Sequence, residues 1–244
     1  MSQQDPTLPD RVAVWPNLVR VELLVALVAT IVLVVWSITI DAPLEGPADP
    51  NLTPDPSKAP WYFLGLQELL VYFDPWIAGV MLPGLIIVGL IAIPYLDDNP
   101  RGNGFFTLRE RPFAIGGFLF GFLGLWVLPI LVGVFCRGPG WNWYWPWESW
   151  STPKHVDLST RDLTDLLGIE PGPVAMVVGG LFVLAWYGQA LAFWRWRRAK
   201  LTIDGWRYAV ASFLFLSMAA IPVKIALRLL LDVKYVWVTP WFNI

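Results

Sequence analysis

Five apolar runs, each about twenty residues long, constrain the fold of this chain more than any other feature. They cover about 21–40, 76–96, 112–136, 173–194 and 208–223. An α-helix needs roughly 20 apolar residues to cross the hydrocarbon core of a bilayer, so each run predicts a membrane-spanning helix. Only 15% of the residues are charged, against about 25% in ordinary soluble domains. The sequence therefore predicts an all-α, polytopic membrane protein embedded in a lipid bilayer.

A shorter helix is predicted over 60–73, between the first two spans, within the sequence KAPWYFLGLQELLVYFDPW at 58–76. Pro60 suits the first turn of a helix, where its missing N–H would have no partner in any case. At 3.6 residues per turn, Trp61, Gly65 and Glu68 share one face with Leu64. One interpretation is a surface for a flat aromatic ligand that releases protons. The other is an interfacial helix held by its aromatic residues, with Glu68 in water.

The distribution of basic residues predicts the orientation of the chain in the membrane. Ten of the seventeen Lys and Arg residues lie on one predicted side, which includes the cluster RWRRAK at 195–200. This side is expected to be cytoplasmic, together with the N-terminus. The aromatic-rich loop 137–172 and the C-terminus are expected outside. Lys224 and Arg228 follow the fifth run and are expected to extend to the headgroups. The alternative is that they bind lipid phosphates or pair with a partner.

Few residues are available for metal, haem or nucleic-acid chemistry. The chain has one histidine, His155, and one cysteine, Cys136. It cannot supply two histidine ligands to a haem, and no metal site is predicted. The formal net charge of −2 offers no basic surface for nucleic acid.

Five motifs in the first half of the chain resemble one known family. They are WPN at 15–17, PLEGPADPNLTP at 43–54, PWYFLGLQELL at 60–70, PYLD at 94–97 and RERP at 109–112. Their order and spacing resemble subunit IV of the cytochrome b6f complex, which corresponds to the C-terminal half of cytochrome b. The resemblance covers about 15–136, so 1–136 is assigned to the family, 137–172 to a loop, and 173–244 to a two-span extension.

The resemblance implies a role in quinol oxidation within a cytochrome bc-type complex of a bacterial inner membrane. In that family the Trp-Tyr helix lines the quinol pocket on the outer side, which implies quinone-binding roles for Pro60, Trp61, Tyr62, Phe63 and Leu64. The quinone would be menaquinone or ubiquinone. Haem b would be carried by a partner subunit equivalent to the N-terminal half of cytochrome b. A Rieske iron–sulfur protein or an equivalent acceptor, a c-type cytochrome and a dimeric complex are further implied.

The chain departs from the family at the position of a proton-accepting glutamate. The family pattern is Pro-Glu-Trp-Tyr, whereas this chain reads Ala59-Pro60-Trp61-Tyr62. Proline cannot accept a proton, so another group must act as base if the reaction is retained. Glu68 is the candidate base and Tyr62 the candidate hydrogen-bond donor.

Two other functions compete with this prediction. Loss of the motif glutamate also fits a structural or quinone-anchoring subunit of another respiratory complex, with a degenerate quinol site. A transporter or channel has little support, because no predicted span carries paired charges.

Overall fold

The computed structural model describes residues 14–41, 46–47, 49–51, 53–97, 99, 107–151, 154, 159–197 and 203–244. Its described part is helical, and five of its helices are long and apolar enough to cross a membrane. The predicted all-α fold with five candidate spans is therefore confirmed. The helices are α1 (Val19–Thr39), α2 (Trp61–Leu69), α3 (Ile77–Leu96), α4 (Pro112–Phe135), α5 (Leu163–Leu166), α6 (Pro173–Arg197) and α7 (Gly205–Leu231).

Two helices differ in length from the predicted ones. Helix α2 ends at Leu69, and residues 70–73 continue as turns in which the N–H groups of Tyr72 and Phe73 both donate to the Leu69 carbonyl. Helix α7 extends well past the predicted end at 223 and stops at Asp232, which adopts a left-handed conformation with φ of 55°. Pro222 lies inside α7, as prolines do in membrane helices whose freed carbonyls find other partners.

Helix α1 belongs to a compact unit of its own, Met1–Thr53, whereas Pro54–Ile244 form the second unit. No residue of α1 is buried within the protein. Its side chains are apolar on nearly every side, as the sequence VRVELLVALVATIVLVVWSIT shows. A helix of this kind requires lipid or another protein chain around it.

The second unit packs around α7, which contacts α3, α4 and α6. Its buried hydrophobic cluster lies where the connection between α2 and α3 meets α7. The cluster consists of Leu69, Tyr72, Phe73, Ile77, Ala78 and Ile221. Ile244, the last residue, packs against the same cluster.

The two ends of this unit differ in composition. At one end lie α2, the loop 137–151 and the C-terminal segment 232–244, and we call it the aromatic end. The C-terminal segment is joined there to the chain at the start of α5 by main-chain hydrogen bonds, such as Leu163 N–H to the Tyr235 carbonyl at 2.8 Å. At the opposite end α3 and α6 finish and α4 and α7 begin. We call it the arginine end, because it carries Arg111, Arg195, Arg197 and Arg207.

Candidate functional site

Helix α2 packs closely against the second half of α4 at the aromatic end, and two glycines make this approach possible. A Cβ atom on Gly133 would lie 2.8 Å from Cγ of Leu64. A Cβ atom on Gly65 would lie 3.1 Å from Cγ1 of Ile130 and 3.2 Å from the Trp126 carbonyl oxygen. The glycine in each helix thus receives a side chain of the other, and the two helices are held in one register.

A side chain from the second turn of α2 forms hydrogen bonds with the main chain just before the helix begins. Gln67 Oε1 accepts a hydrogen bond from the Ala59 N–H at 2.7 Å, and Gln67 Nε2 donates to the Ser57 carbonyl at 2.9 Å. The Pro60 carbonyl accepts the first bonds of the helix, from Phe63 and Leu64. The chain before α2 is therefore fixed to the helix, which orients the residues that begin it.

The predicted site residues occupy two different environments. Trp61, Tyr62 and Phe63 form an exposed ring cluster, in which Trp61 is 68% exposed. The Trp61 and Tyr62 ring centroids lie 5.7 Å apart, and those of Tyr62 and Phe63 lie 4.8 Å apart. Pro60 beside them is exposed as well. This cluster offers flat faces and edges of the kind on which aromatic ligands pack.

Leu64 and Glu68, by contrast, face α4 and are buried. Helical periodicity placed Trp61 and Glu68 on one face, but α4 covers only the later part of that face. The structure therefore does not bring the exposed ring of Trp61 and the buried carboxylate of Glu68 to a common open surface.

Glu68 forms a bidentate ion pair with Arg137, the second residue after α4. Arg137 Nε donates to Glu68 Oε2 at 2.8 Å, and Arg137 Nη2 donates to Glu68 Oε1 at 2.6 Å. The Tyr72 hydroxyl also donates to Oε1, at 3.0 Å. The side chains of Arg137 and Glu68 are 9% and 3% exposed. Both carboxylate oxygens are thus engaged in charge-assisted hydrogen bonds in a buried setting.

The surroundings shift the pKa values of both partners of Glu68. Burial, followed by the nearby Glu68 charge, raises the pKa of Tyr72 to about 12. Burial alone would lower the pKa of Arg137, but its hydrogen bonds to Glu68 and the charge of that carboxylate outweigh this effect and raise it. Tyr72 therefore remains a hydrogen-bond donor and Arg137 a cation throughout the neutral range.

The loop after α4 folds over Arg137. Its guanidinium lies 5.6 Å from the ring centroid of Trp143, and Nη1 donates to the Trp141 carbonyl at 3.0 Å. Tyr144 is fully buried beneath the loop, and a Cβ atom on Gly138 would lie 2.5 Å from the Tyr144 ring. Only glycine fits at that position. Other aromatic residues of the loop point outward, and Trp145 stacks on Trp147 with centroids 5.3 Å apart.

Lys224 corrects one expectation from the sequence. It does not extend to the headgroups but is buried on α7, with 3% of its surface exposed. Its Nζ donates to the Tyr72 carbonyl at 2.9 Å and to the Lys234 carbonyl at 2.5 Å. Because α7 continues to Leu231, Lys224 lies inside the packed helix rather than beyond its end.

Sequence reasoning missed Arg137, Tyr72 and Lys224 as part of this site. Each was visible only as a polar residue beside an apolar run, which is a weak signal. Within the described residues no cluster of His, Cys, Asp and Glu could hold a metal ion. His155, the one histidine, lies outside the described residues.

Residues 47–132 match the family model described as cytochrome b(C-terminal)/b6/petD. This match confirms the resemblance for that segment, which contains α2, α3 and most of α4. Two curated relatives are both described as "Menaquinol:cytochrome c reductase cytochrome c subunit". The chain is 34% identical to the Geobacillus thermodenitrificans protein over 107 residues, which are 42% of this chain and 41% of that one.

The second relative, from Bacillus subtilis, is also 34% identical, over 111 residues that make up 43% of this chain and 41% of the relative. The chain thus matches about two fifths of the length of each relative. No solved structure matches the chain.

Proposed function

We propose that this chain is a membrane subunit of a quinol:cytochrome c reductase-type complex, in which α2 forms part of the outer-side quinol pocket. The observation that carries the proposal is the family match over 47–132, which includes all of α2. The exposed rings of Trp61, Tyr62 and Phe63 support it, because they form an aromatic surface at the start of that helix. Pro60 and Leu64 flank this surface in the sequence.

The proposed complex contains further subunits, which carry the redox groups that this chain does not bind by itself. One histidine cannot provide both axial ligands of a b-type haem, so haem b belongs to a partner equivalent to the N-terminal half of cytochrome b. Menaquinol is the proposed substrate, because the names of both curated relatives contain it. A Rieske iron–sulfur protein or an equivalent acceptor, together with a c-type cytochrome, would take electrons at the aromatic end. The complex would be dimeric and lie in a bacterial inner membrane, with the aromatic end outside.

Quinol oxidation releases two electrons and two protons, so the pocket must accept protons as well as orient the ring. The Tyr62 hydroxyl is the proposed hydrogen-bond partner of the quinol oxygen. Glu68 is the proposed base, but its carboxylate is buried and both of its oxygens accept hydrogen bonds from Arg137 and Tyr72. Proton transfer to Glu68 therefore requires a path through the groups packed around it.

One observation favours a second candidate function. Both oxygens of Glu68 are engaged, and Pro60 stands where the family has its proton acceptor. A structural or quinone-anchoring subunit with a degenerate quinol site would have these two properties. In that case Glu68 serves to fasten α2 to α4.

The deciding experiment is quinol-driven haem reduction in the purified native complex, with and without an inhibitor of the outer quinone site. Inhibitor-sensitive reduction is expected if the pocket works. Haems that are present but not reduced by quinol at this site would support the degenerate pocket instead.

Replacing Glu68 by Gln tests the proposed base in the same assay. The expected result is a large loss of turnover per haem, measured on assembled complex because Gln also leaves Arg137 without its buried partner. Glu148→Gln is the control, because Glu148 is a loop carboxylate that pairs with Lys154 at the surface. Unchanged turnover in an assembled Glu68→Gln complex would remove Glu68 from the proton path.

A further inference from the structure

Lys224 is an unusual residue for its position, because it carries a charge inside a packed membrane helix. Its α7 neighbours on the same buried face are Ser217 and Ile221. Burying an ammonium group is costly unless hydrogen bonds compensate, and ionisable residues inside membrane spans commonly mark a functional site. The position of Lys224 thus calls for an explanation beyond packing.

The contacts of Lys224 join three parts of the chain at one point. Its two hydrogen-bond acceptors are main-chain carbonyl oxygens, one on Tyr72 after α2 and one on Lys234 in the C-terminal segment. Its Nζ also lies 5.7 Å from the ring centroid of Phe73. The ammonium group therefore binds the backbone that follows α2, and it does so from the two-span extension.

Tyr72 also contacts the buried ion pair of Glu68 and Arg137. Its carbonyl accepts from Lys224, while its hydroxyl donates to Glu68 Oε1 at 3.0 Å and accepts from Arg137 Nη2 at 3.3 Å. Tyr72 thus contacts Lys224 through its main chain and the ion pair of Glu68 and Arg137 through its hydroxyl. The segment formed by α2 and the turns after it is therefore bonded both to the residues that follow α4 and to α7.

This attachment reaches α2 through the turns that follow it. The N–H groups of Tyr72 and Phe73 both donate to the carbonyl of Leu69, the last residue of the helix. Helix α2 has nine residues, and a helix of that length spans about 12 Å from its first residue, Trp61, to this end. The C-terminal segment strengthens the attachment, because Ile244 packs on the cluster that contains Tyr72 and Phe73.

We propose that Lys224 is a positioning residue for the quinol pocket and that the two-span extension serves to hold α2 in its working orientation. This inference rests on the proposed function, because it assigns to the extension a role in that same pocket. Lys224 acts through the Tyr72 carbonyl and does not itself touch the quinol.

The test compares Lys224→Met with Arg228→Met in the complete complex. Arg228 lies four residues further along α7 and donates to the carbonyl of Asp232, at the end of α7 itself. The quinol KM and the half-inhibitory concentration of an outer-site inhibitor are expected to rise about tenfold in Lys224→Met, since losing an aromatic contact to the quinol ring weakens binding by about this factor. A smaller change in kcat is expected, and Arg228→Met should resemble the unsubstituted complex.

A second measurement reads the orientation of α2 without reference to activity. A spin label is placed at position 61 by Trp61→Cys in a Cys136→Ser background, which removes the single native cysteine. Its line shape is expected to become more mobile in Lys224→Met and to stay unchanged in Arg228→Met. If the unsubstituted complex shows no quinol-driven reduction, the proposed function fails, and the label alone decides whether Lys224 positions α2.

Three results would overturn the inference. One is an assembled Lys224→Met complex with unchanged KM, inhibitor sensitivity and label mobility. Another is a more mobile label together with unchanged KM and inhibitor sensitivity in the unlabelled Lys224→Met complex, which retains Trp61. A further variant, Lys224→Gln, is made in parallel, because a neutral amide is cheaper to bury and retains donors for one carbonyl. The third result that would overturn the inference is loss of haem and partner subunit from both Lys224→Met and Lys224→Gln, since Lys224 would then be needed for assembly.

Discussion

The two ends of the unit formed by Pro54–Ile244 use the same kind of ion pair in opposite settings. At the aromatic end, Glu68 and Arg137 are paired with side chains only 3% and 9% exposed. At the arginine end, Asp97 pairs with Arg111 while their side chains remain 33% and 23% exposed. Asp204 and Arg207 approach only to 3.8 Å, with Asp204 largely in solvent.

This contrast separates charges that maintain geometry from charges that face water and headgroups. Removing one partner of a buried pair leaves an uncompensated charge in a medium of low polarity. Removing one partner of an exposed pair leaves a charge that water solvates again. The aromatic end is therefore expected to be sensitive to substitution, and the arginine end tolerant of it.

The largest effect is expected from Arg137→Met. It leaves Glu68 buried without its cation, which costs about 3–5 kcal/mol when such a pair is broken. Thermal unfolding of the purified complex should show a large fall in the transition midpoint. The double variant Glu68→Gln with Arg137→Met should recover part of the loss, because no unpaired charge remains. A midpoint unchanged in Arg137→Met would show that this pair does not stabilise α2 on α4.

The next effect in size is expected from Gly133→Ala, which changes packing rather than charge. The new methyl group would lie 2.8 Å from Cγ of Leu64, and overpacking of this kind costs about 1–3 kcal/mol. Gly117→Ala is the control on the same helix, since nothing lies within 4 Å of the atom added there. Equal midpoints for the two variants would contradict the close packing of α2 on α4.

A smaller effect, with a specific pH dependence, is expected from Tyr72→Phe. At neutral pH the lost hydroxyl removes one donated and one accepted hydrogen bond, each to a charged group, and costs about 1.5 kcal/mol, the lower end of the range for such bonds. The folded-state pKa of Tyr72 is raised to about 12 from an ordinary value of 10.0. The stability due to this group is therefore complete below pH 10 and is lost as the pH rises from about 10 to 12.

Unfolding midpoints measured across that alkaline range check the prediction. The difference in unfolding midpoint between the unsubstituted complex and Tyr72→Phe should narrow above pH 10. Only the unsubstituted complex has the Tyr72 hydroxyl, and it loses the stability due to that group in this range. A constant difference up to pH 12 would show that the hydroxyl is not held in a buried network.

The smallest effect is expected from Asp97→Asn at the arginine end. An exposed ion pair contributes about 0–1 kcal/mol and is weakened by salt. The unfolding midpoint should fall slightly at low ionic strength and not at all in concentrated salt. A fall in the midpoint as large as that of Arg137→Met would contradict the expected difference in sensitivity between the aromatic end and the arginine end.

The positions of the helices were predictable from the sequence, because a run of about 20 apolar residues has one stable arrangement in a bilayer. The family match over 47–132 likewise agrees with motifs read in order along the chain. The extent of α7 was not predictable, since Lys224 and Arg228 follow the fifth apolar run and argued for an end at 223. The Tyr72 carbonyl that Lys224 binds lies 152 residues away along the chain.

The residues of α2 illustrate the same limit. Helical periodicity showed which of them share a face, but it did not show how much of that face α4 would cover. Glu68 was identified as a carboxylate on the helix, whereas its partner Arg137 lies 69 residues away along the chain. No local pattern connects the two.

The sequence by itself determined the membrane-spanning helices, the aromatic residues of α2 and the presence of a single histidine, because these follow from composition and local periodicity. Only the tertiary structure decided which polar groups are buried together. Arg137, Glu68, Tyr72 and Lys224 meet because α4 and α7 finish at the end of the unit where α2 lies. Burial of these groups depends on packing between distant segments, and it is burial that gives their hydrogen bonds strength.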